Sequence, residues 1–420
     1  MENLTGGTPP VRYLPCVVPC KLYFAELEET EYEEVFIDGT KIESMANRYT
    51  FVWKTGVEKN LAKLKEKAKG VFNEYGGKGN LTRKKLRELA DKQLPPNAEF
   101  VHGVGKRKSE WQKRYEKLDS LWTKWTECED KLFAIGNNRR SMSRTDKDAT
   151  FMRMKEDHMG NGQLKPAYNV QLAVNSEYIT GVAAFSNRTD SGTLIPFLNH
   201  IQWMQSRSYR DIVADAGYES EENYLFIEKN GQTAYIKPQN YEISKTRKYK
   251  KDISRRENME YHADSDSYIC RNGRELIATN ERRSKTVSGY VSIKTYYRSS
   301  DCTGCPYKTD CIKGNNCKTP MEKRNKVLMV SKTMSQKRAE DLERITSEYG
   351  KMLRMNRSIQ VEGSFADVKE DMNFRRYLYR GKANALAESI LLAMGRNINK
   401  LHCKIQTGRT GSHLFSLKTA

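Results

Sequence analysis

Asp211-Ile-Val-Ala-Asp215-Ala-Gly-Tyr218-Glu-Ser220 is a short apolar run that ends on an acid, turns at Gly217 and leads into Glu219–Glu228, which reads as a helix. Ser220 and Asn223 suit the helix start. A strand that carries an acid to its end, then a glycine turn and a helix, is how an open α/β sheet presents a carboxylate at its rim, where ligands bind. The same residues also suit a plain helix cap by Asp215. A chemical role for that acid therefore needs partners from elsewhere in the chain.

The bulk composition narrows what those partners can be. A chain of 420 residues without an internal repeat is expected to form two or three domains with a sizeable core. Lys and Arg number 73 against 53 Asp and Glu, a net charge of +20 and a pI near 9.4. A surplus that large points to a polyanionic partner, most simply nucleic acid. No apolar run is long enough to span a bilayer, and the N-terminus has no secretory apolar core. The expectation is a cytoplasmic chain with no membrane partner. Its nine cysteines are then thiols or metal ligands rather than disulfides.

In chain order, residues 1–30 read as a poorly ordered lead. Val35-Phe-Ile-Asp38-Gly is a second apolar strand ending on an acid and a glycine, and Arg48–Lys54 alternates like its hairpin partner. Asp38-Gly39 could equally be only a hairpin turn. From Val57 the apolar residues step by four and three (Val57, Leu61, Leu64, Ala68, Val71, Tyr75), and Trp111, Tyr115, Leu118, Trp122, Trp125 and Leu132 repeat the step. Residues 57–136 are therefore a helical, coiled-coil-like insertion whose Trp stripe is a hydrophobic seam. Asn137–Asp148 is a polar, basic connector. Tyr168–Asn175 and Tyr178–Phe185 read as a strand pair, Thr193–Gln205 as a helix and Gln232–Lys237 as a strand. The fold class is α/β. A ribonuclease-H-like mixed sheet is expected from 31–56 and 137–238, completed by C-terminal helices over 334–402, with a tail at 403–420.

Residues 239–333 break this rhythm with a basic insertion of short strands. It carries Cys302-x2-Cys305-x5-Cys311-x5-Cys317, a spacing compatible with structural zinc. Cys270 could stand in for Cys317, or all could be plain reduced thiols. Helices follow at Ser335–Leu353, Ser358–Lys369 and Ala383–Leu401. In the second of these, Glu362 and Lys369 are about two turns apart and share a face. Asp38, Asp215 and Glu362 are then two strand-end acids and one helix acid. Such carboxylates hold magnesium or manganese, which activate a nucleophile and stabilise the leaving oxygen of a phosphodiester.

At these residues the chain resembles the DDE transposases of bacterial insertion sequences. The matching motifs are Phe36-Ile-Asp38-Gly-Thr-Lys-Ile-Glu, Ala214-Asp215-Ala-Gly-Tyr218 and Val361-Glu362-Gly-Ser-Phe-Ala-Asp-Val-Lys369. The Tyr168-Asn-Val-Gln-Leu-Ala-Val run and the segment from Phe374-Arg375-Arg376 to Arg380-Gly-Lys382 look like one branch of that family. The resemblance implies metal-dependent cleavage of transposon ends and joining to target DNA, by a homodimer assembled on DNA. It makes Asp38, Asp215 and Glu362 the catalytic, metal-binding triad. It sets Lys369, Tyr218, Arg357, Arg375, Arg376 and Lys382 against DNA. Two departures stand out. Arg357 has four residues between it and Glu362 where the branch often has three, and only 37 residues precede Asp38, so an N-terminal truncation is expected. The other reading is a non-catalytic DNA-binding protein derived from such a transposase.

Overall fold

The computed structural model describes residues 33–103, 107–154, 162–314, 317–411 and 415. The lead expected over 1–30 lies outside them, as do residues 412–414 and 416–420 of the expected tail. The first strand, β1 (Glu34–Glu43), is buried at every position but Lys41. It does not fold back on Arg48–Lys54. Instead β1 runs straight through Asp38-Gly39, antiparallel to β5 (Leu164–Asn175) from Phe36 opposite Val174 to Glu43 opposite Ala167. The short β2 (Phe51–Trp53) pairs with β3 (Ser141–Ser143) instead, inside the stretch expected to be a polar connector. Long-range pairing with a twelve-residue apolar strand outweighs a local Asp-Gly turn.

On its other side β1 lies parallel to β7 (Asp211–Ala214), and β8 (Thr233–Ile236) adds parallel to β7. β4 (Thr150–Arg153) and β6 (Tyr178–Phe185) share the far edge of β5, both antiparallel to it. Ser176 and Glu177, at φ +53° and +70°, make the tight β5–β6 turn. Among the described residues these six strands form one mixed sheet. Both faces of its centre are covered, as continuous apolar strands require. Val35, Ile37, Ile212 and Ala214 pack on α4 (Leu194–Gln205) and α5 (Glu221–Lys229). Phe36 and Val213 pack on C-terminal residues including Ile345, Leu353, Val361 and Ala385.

Three helices leave the sheet after β2: α1 (Lys54–Glu74), α2 (Arg83–Asp91) and α3 (Glu110–Ile135). Leu61, Ala68, Phe72, Leu86, Leu118 and Trp125 bury their common seam, with Trp122 packed against it. Further on, β9 (Glu260–His262), β10 (Ser267–Ile269), β11 (Glu275–Lys285), β12 (Val291–Ser299) and β13 (Val327–Val330) form an antiparallel sheet. Two of these are long rather than short, and β11–β12 is an outstretched ribbon. Its tip is moored to the start of α5, where Tyr290 and Ser292 donate to Glu221 and Ser288 donates to Glu222 at 2.5, 2.9 and 2.7 Å.

The helix expected over Ser335–Leu353 is two: α6 (Lys332–Thr346) and α7 (Glu348–Arg357). Ser347 caps the second by accepting from the Gly350 amide at 3.0 Å. The chain doubles back so tightly there that a Cβ on Gly350 would lie 2.0 Å from the Arg344 carbonyl oxygen. The expected Ser358–Lys369 helix is also interrupted. Ser358–Glu362 and Asp367–Asp371 are π-helical turns around one α-turn, Gly363–Ala366. The last helix, α8, runs over Lys382–Thr407.

Because backbone rather than a flexible side chain opposes that Cβ, Gly350→Ala is expected to destabilise the protein by about 3 kcal/mol or more. Denaturant unfolding measures this, and an unchanged midpoint would contradict the close crossing.

Candidate active site

The parallel register sets the first two acids side by side. Ile37 is level with Ala214, so Asp38 and Asp215 are the next residues on neighbouring strands, which lie about 4.8 Å apart. Asp38 is 8% exposed and has the same parity as Phe36, toward the C-terminal helices. Its carboxylate accepts from the Gly39 amide at 2.7 Å. Asp215 follows β7 and accepts from the Gly217 amide at 2.8 Å, so it also caps the short turn after the strand.

Glu362 joins them through Arg357. The guanidinium Nη1 donates to Asp38 Oδ2 at 3.3 Å, and Nη2 lies 3.7 Å from Glu362 Oε1. In a regular α-helix, residues five apart would diverge by about 140°. The π-turn Ser358–Glu362 closes its hydrogen bonds over five residues and brings Arg357 and Glu362 back onto one face. The extra residue of this chain is absorbed as a bulge. Asp38 is buried and the Glu362 side chain is 60% exposed, so one guanidinium links a deep acid to an accessible one.

A fourth acid, not singled out from sequence, stands behind the first two. Asp190, in the loop before α4, accepts from Asn169 at 2.7 Å and from Gln171 at 3.1 Å. Cβ atoms on Gly39 and Gly217 would fall 2.9 and 3.1 Å from its carboxylate oxygens, so both glycines are needed to admit it. The signal available was Asn169 and Gln171, two polar residues in the buried stretch of a largely apolar strand. Tyr218 donates to Gln171. Burial, then the carboxylates of Asp190, Asp38 and Asp215, push its phenol well above the ordinary range, with Arg357 opposing.

Several residues expected to face DNA are engaged within the fold. Tyr218 is fully buried. Lys369 is 8% exposed and lines a small cavity with Thr40, Val170 and Leu172. Its neighbours Asp367 and Glu370 reach Arg396 and Arg375. Arg376 donates to the Ser44 and Ala46 carbonyls at 3.3 and 3.0 Å and pins the segment before α8 to the end of β1. Arg375 is exposed beside Glu370, and the Lys382 ammonium lies 5.6 Å from the Phe185 ring. Asp146, in the supposed connector, is buried and accepts from Ser44 at 2.5 Å and Tyr168 at 2.8 Å.

Among the cysteines, Cys317 stands apart and exposed, next to Thr319 and Arg324. Cys270, Cys302 and Cys305 surround Cys311, whose thiol is pushed up chiefly by burial. The Lys326 amide donates to Cys302 Sγ at 3.3 Å. The four are neighbouring free thiols, and the spacing through Cys317 does not produce a thiolate cage. Among the described residues no group of three or more His, Cys, Asp or Glu side chains is arranged to hold a metal ion. This includes the three rim acids, two of which share Arg357. No helix among them is long and apolar enough to cross a membrane.

Residues 269–402 match the family described as the transposase DDE domain. The matched stretch runs from the end of β10 into α8, so it contains Arg357 and Glu362 but neither Asp38 nor Asp215. The match supports a DDE-type transposase, and that family implies DNA binding. No curated protein and no solved structure matches.

Since Tyr218 serves the buried network, Tyr218→Phe is expected to cost about 1–3 kcal/mol by stranding the Gln171 carbonyl, while leaving DNA affinity unchanged. Unfolding and DNA-binding measurements together decide it. A stable variant that binds DNA more weakly would return Tyr218 to the DNA face.

Proposed function

We propose that the chain is a DDE transposase that cuts DNA at insertion-sequence ends and transfers the strand to target DNA, with Asp38, Asp215 and Glu362 as its catalytic acids. The observation that carries this reading is the convergence of three acids distant in sequence, two by strand register and the third through Arg357. The strand order supports a ribonuclease-H-like core, with three antiparallel strands ending at β1 and two parallel ones beyond it. In this reading residues 57–136 and 239–333 are insertions into that core, and 334–402 complete it. The protein acts in the cytoplasm, as a homodimer assembled on DNA.

The chain's own residues supply charge and position. The glycine amides and Arg357 hold two of the acids, and Asp190 with its amide donors braces the strands behind them. Exposed Arg282, Arg283, Lys285 and Arg298 on the β11–β12 ribbon offer phosphate contacts, and the ribbon tip is moored next to the Asp215 turn through α5. Magnesium or manganese is the partner such acids serve, lending charge stabilisation to a phosphodiester in reaction. The three acids do not enclose an ion while Arg357 stands between two of them. That same feature favours the second reading, a non-catalytic DNA-binding protein of transposase descent.

A cleavage assay separates the two. With Mg2+ or Mn2+, the purified protein is expected to nick DNA carrying the cognate ends. Asp215→Asn should lower the rate by about a hundredfold or more, the scale of losing one catalytic electrostatic group, with DNA affinity retained. DNA binding without divalent-dependent nicking would select the non-catalytic reading.

A further inference from the structure

Arg357 occupies the position between Asp38 and Glu362 that a shared cation would take. Its side chain is 16% exposed and that of Asp38 is 11% exposed, so the pair is withdrawn from solvent. A buried carboxylate needs a compensating positive charge, and the Arg357 guanidinium lies within 4 Å of carboxylate oxygens of both acids. A guanidinium does not deprotonate in proteins. It cannot yield to a divalent ion by losing its charge and must move away. Glu362, on the solvent side, has room to move with it.

We propose that Arg357 is a resident counter-cation that keeps the acid site closed to divalent ions, and that it exchanges the two carboxylates for a DNA phosphate when the ions enter. The inference rests on the reading of Asp38, Asp215 and Glu362 as the metal-binding acids. Guanidinium geometry suits both partners, since its fork matches carboxylate and phosphate alike. The π-turn between Arg357 and Glu362 makes the exchange local. Relaxing that one bulge changes the angular relation of the two side chains. Arg357 is thus a positioning residue that couples DNA arrival to ion binding, and ion affinity is reduced by the fraction of molecules in which it has left.

The test is Mn2+ binding, followed by electron paramagnetic resonance of the free ion, on wild type, Arg357→Gln and Arg357→Lys, each with and without end DNA. Melting in chelator is measured alongside. Without DNA, Arg357→Gln is expected to bind Mn2+ about tenfold more tightly than wild type or better. It should melt lower in chelator and recover with Mn2+. Arg357→Lys, which keeps a positive charge, should stay near wild type in ion affinity. End DNA should tighten Mn2+ binding to wild type more than to Arg357→Gln. Equal Mn2+ affinity of wild type and Arg357→Gln overturns the counter-cation role while leaving the acid-site reading intact. If no form binds Mn2+ with or without DNA, or if Asp215→Asn binds it unchanged, the acid-site reading itself fails and the inference falls with it.

Discussion

The architecture of the rim depends on β1 being an interior strand. Antiparallel to β5 on one side and parallel to β7 on the other, it fixes where every polar residue along its length must go. Asp38 is directed to the face of the C-terminal helices and Gly39 to the opposite face, where Gln171 and Asp190 leave no room for a side chain. Burying a carboxylate in the middle of a sheet is costly without compensation. The Gly39 amide and the Arg357 guanidinium supply it. A one-residue slip of β1 would exchange the two faces and undo both arrangements.

The C-terminal helices carry the consequence. Gly350 lets α7 turn back sharply from α6, and the π-turn after Arg357 swings Glu362 into line. A residue count that would diverge on an α-helix converges here, because one extra residue is accommodated as a bulge. Such π-bulges commonly mark functional positions. The family match begins at the end of β10 and includes this segment, whereas the two strand acids lie in a part of the chain outside it.

Much of the fold was legible because it rests on local patterns. Val35–Asp38 and Ile212–Asp215 are apolar runs ending on acids, Tyr168–Asn175 and Tyr178–Phe185 are two strand-like runs separated by a tight turn, and the periodic stretches from Val57 to Leu132 form helices. What was not legible depends on distant partners or on departures from ideal geometry. Asp38-Gly39 has the local chemistry of a hairpin turn, and only β5 keeps it extended. A 3.6-residue period assumes no π-turn, so it does not show that Lys369 is buried beside Thr40 and Val170 while Glu362 is exposed. Asp190 sits in a loop with no motif, and its importance is visible through Asn169 and Gln171, which donate to it, and the two glycines that make way for it. Cys270 is far in sequence from Cys302 yet joins its cluster, while nearby Cys317 does not.

The most direct test of the account is a structure of the protein bound to its end DNA in the presence of Mn2+, with the ion located by anomalous scattering. The account predicts ion density at bonding distance, roughly 2.0–2.2 Å, from the carboxylates of Asp38 and Asp215, with Glu362 beside it and Arg357 turned onto a DNA phosphate. Ions held elsewhere, with Arg357 still bridging Asp38 and Glu362 above a bound DNA strand, would contradict it.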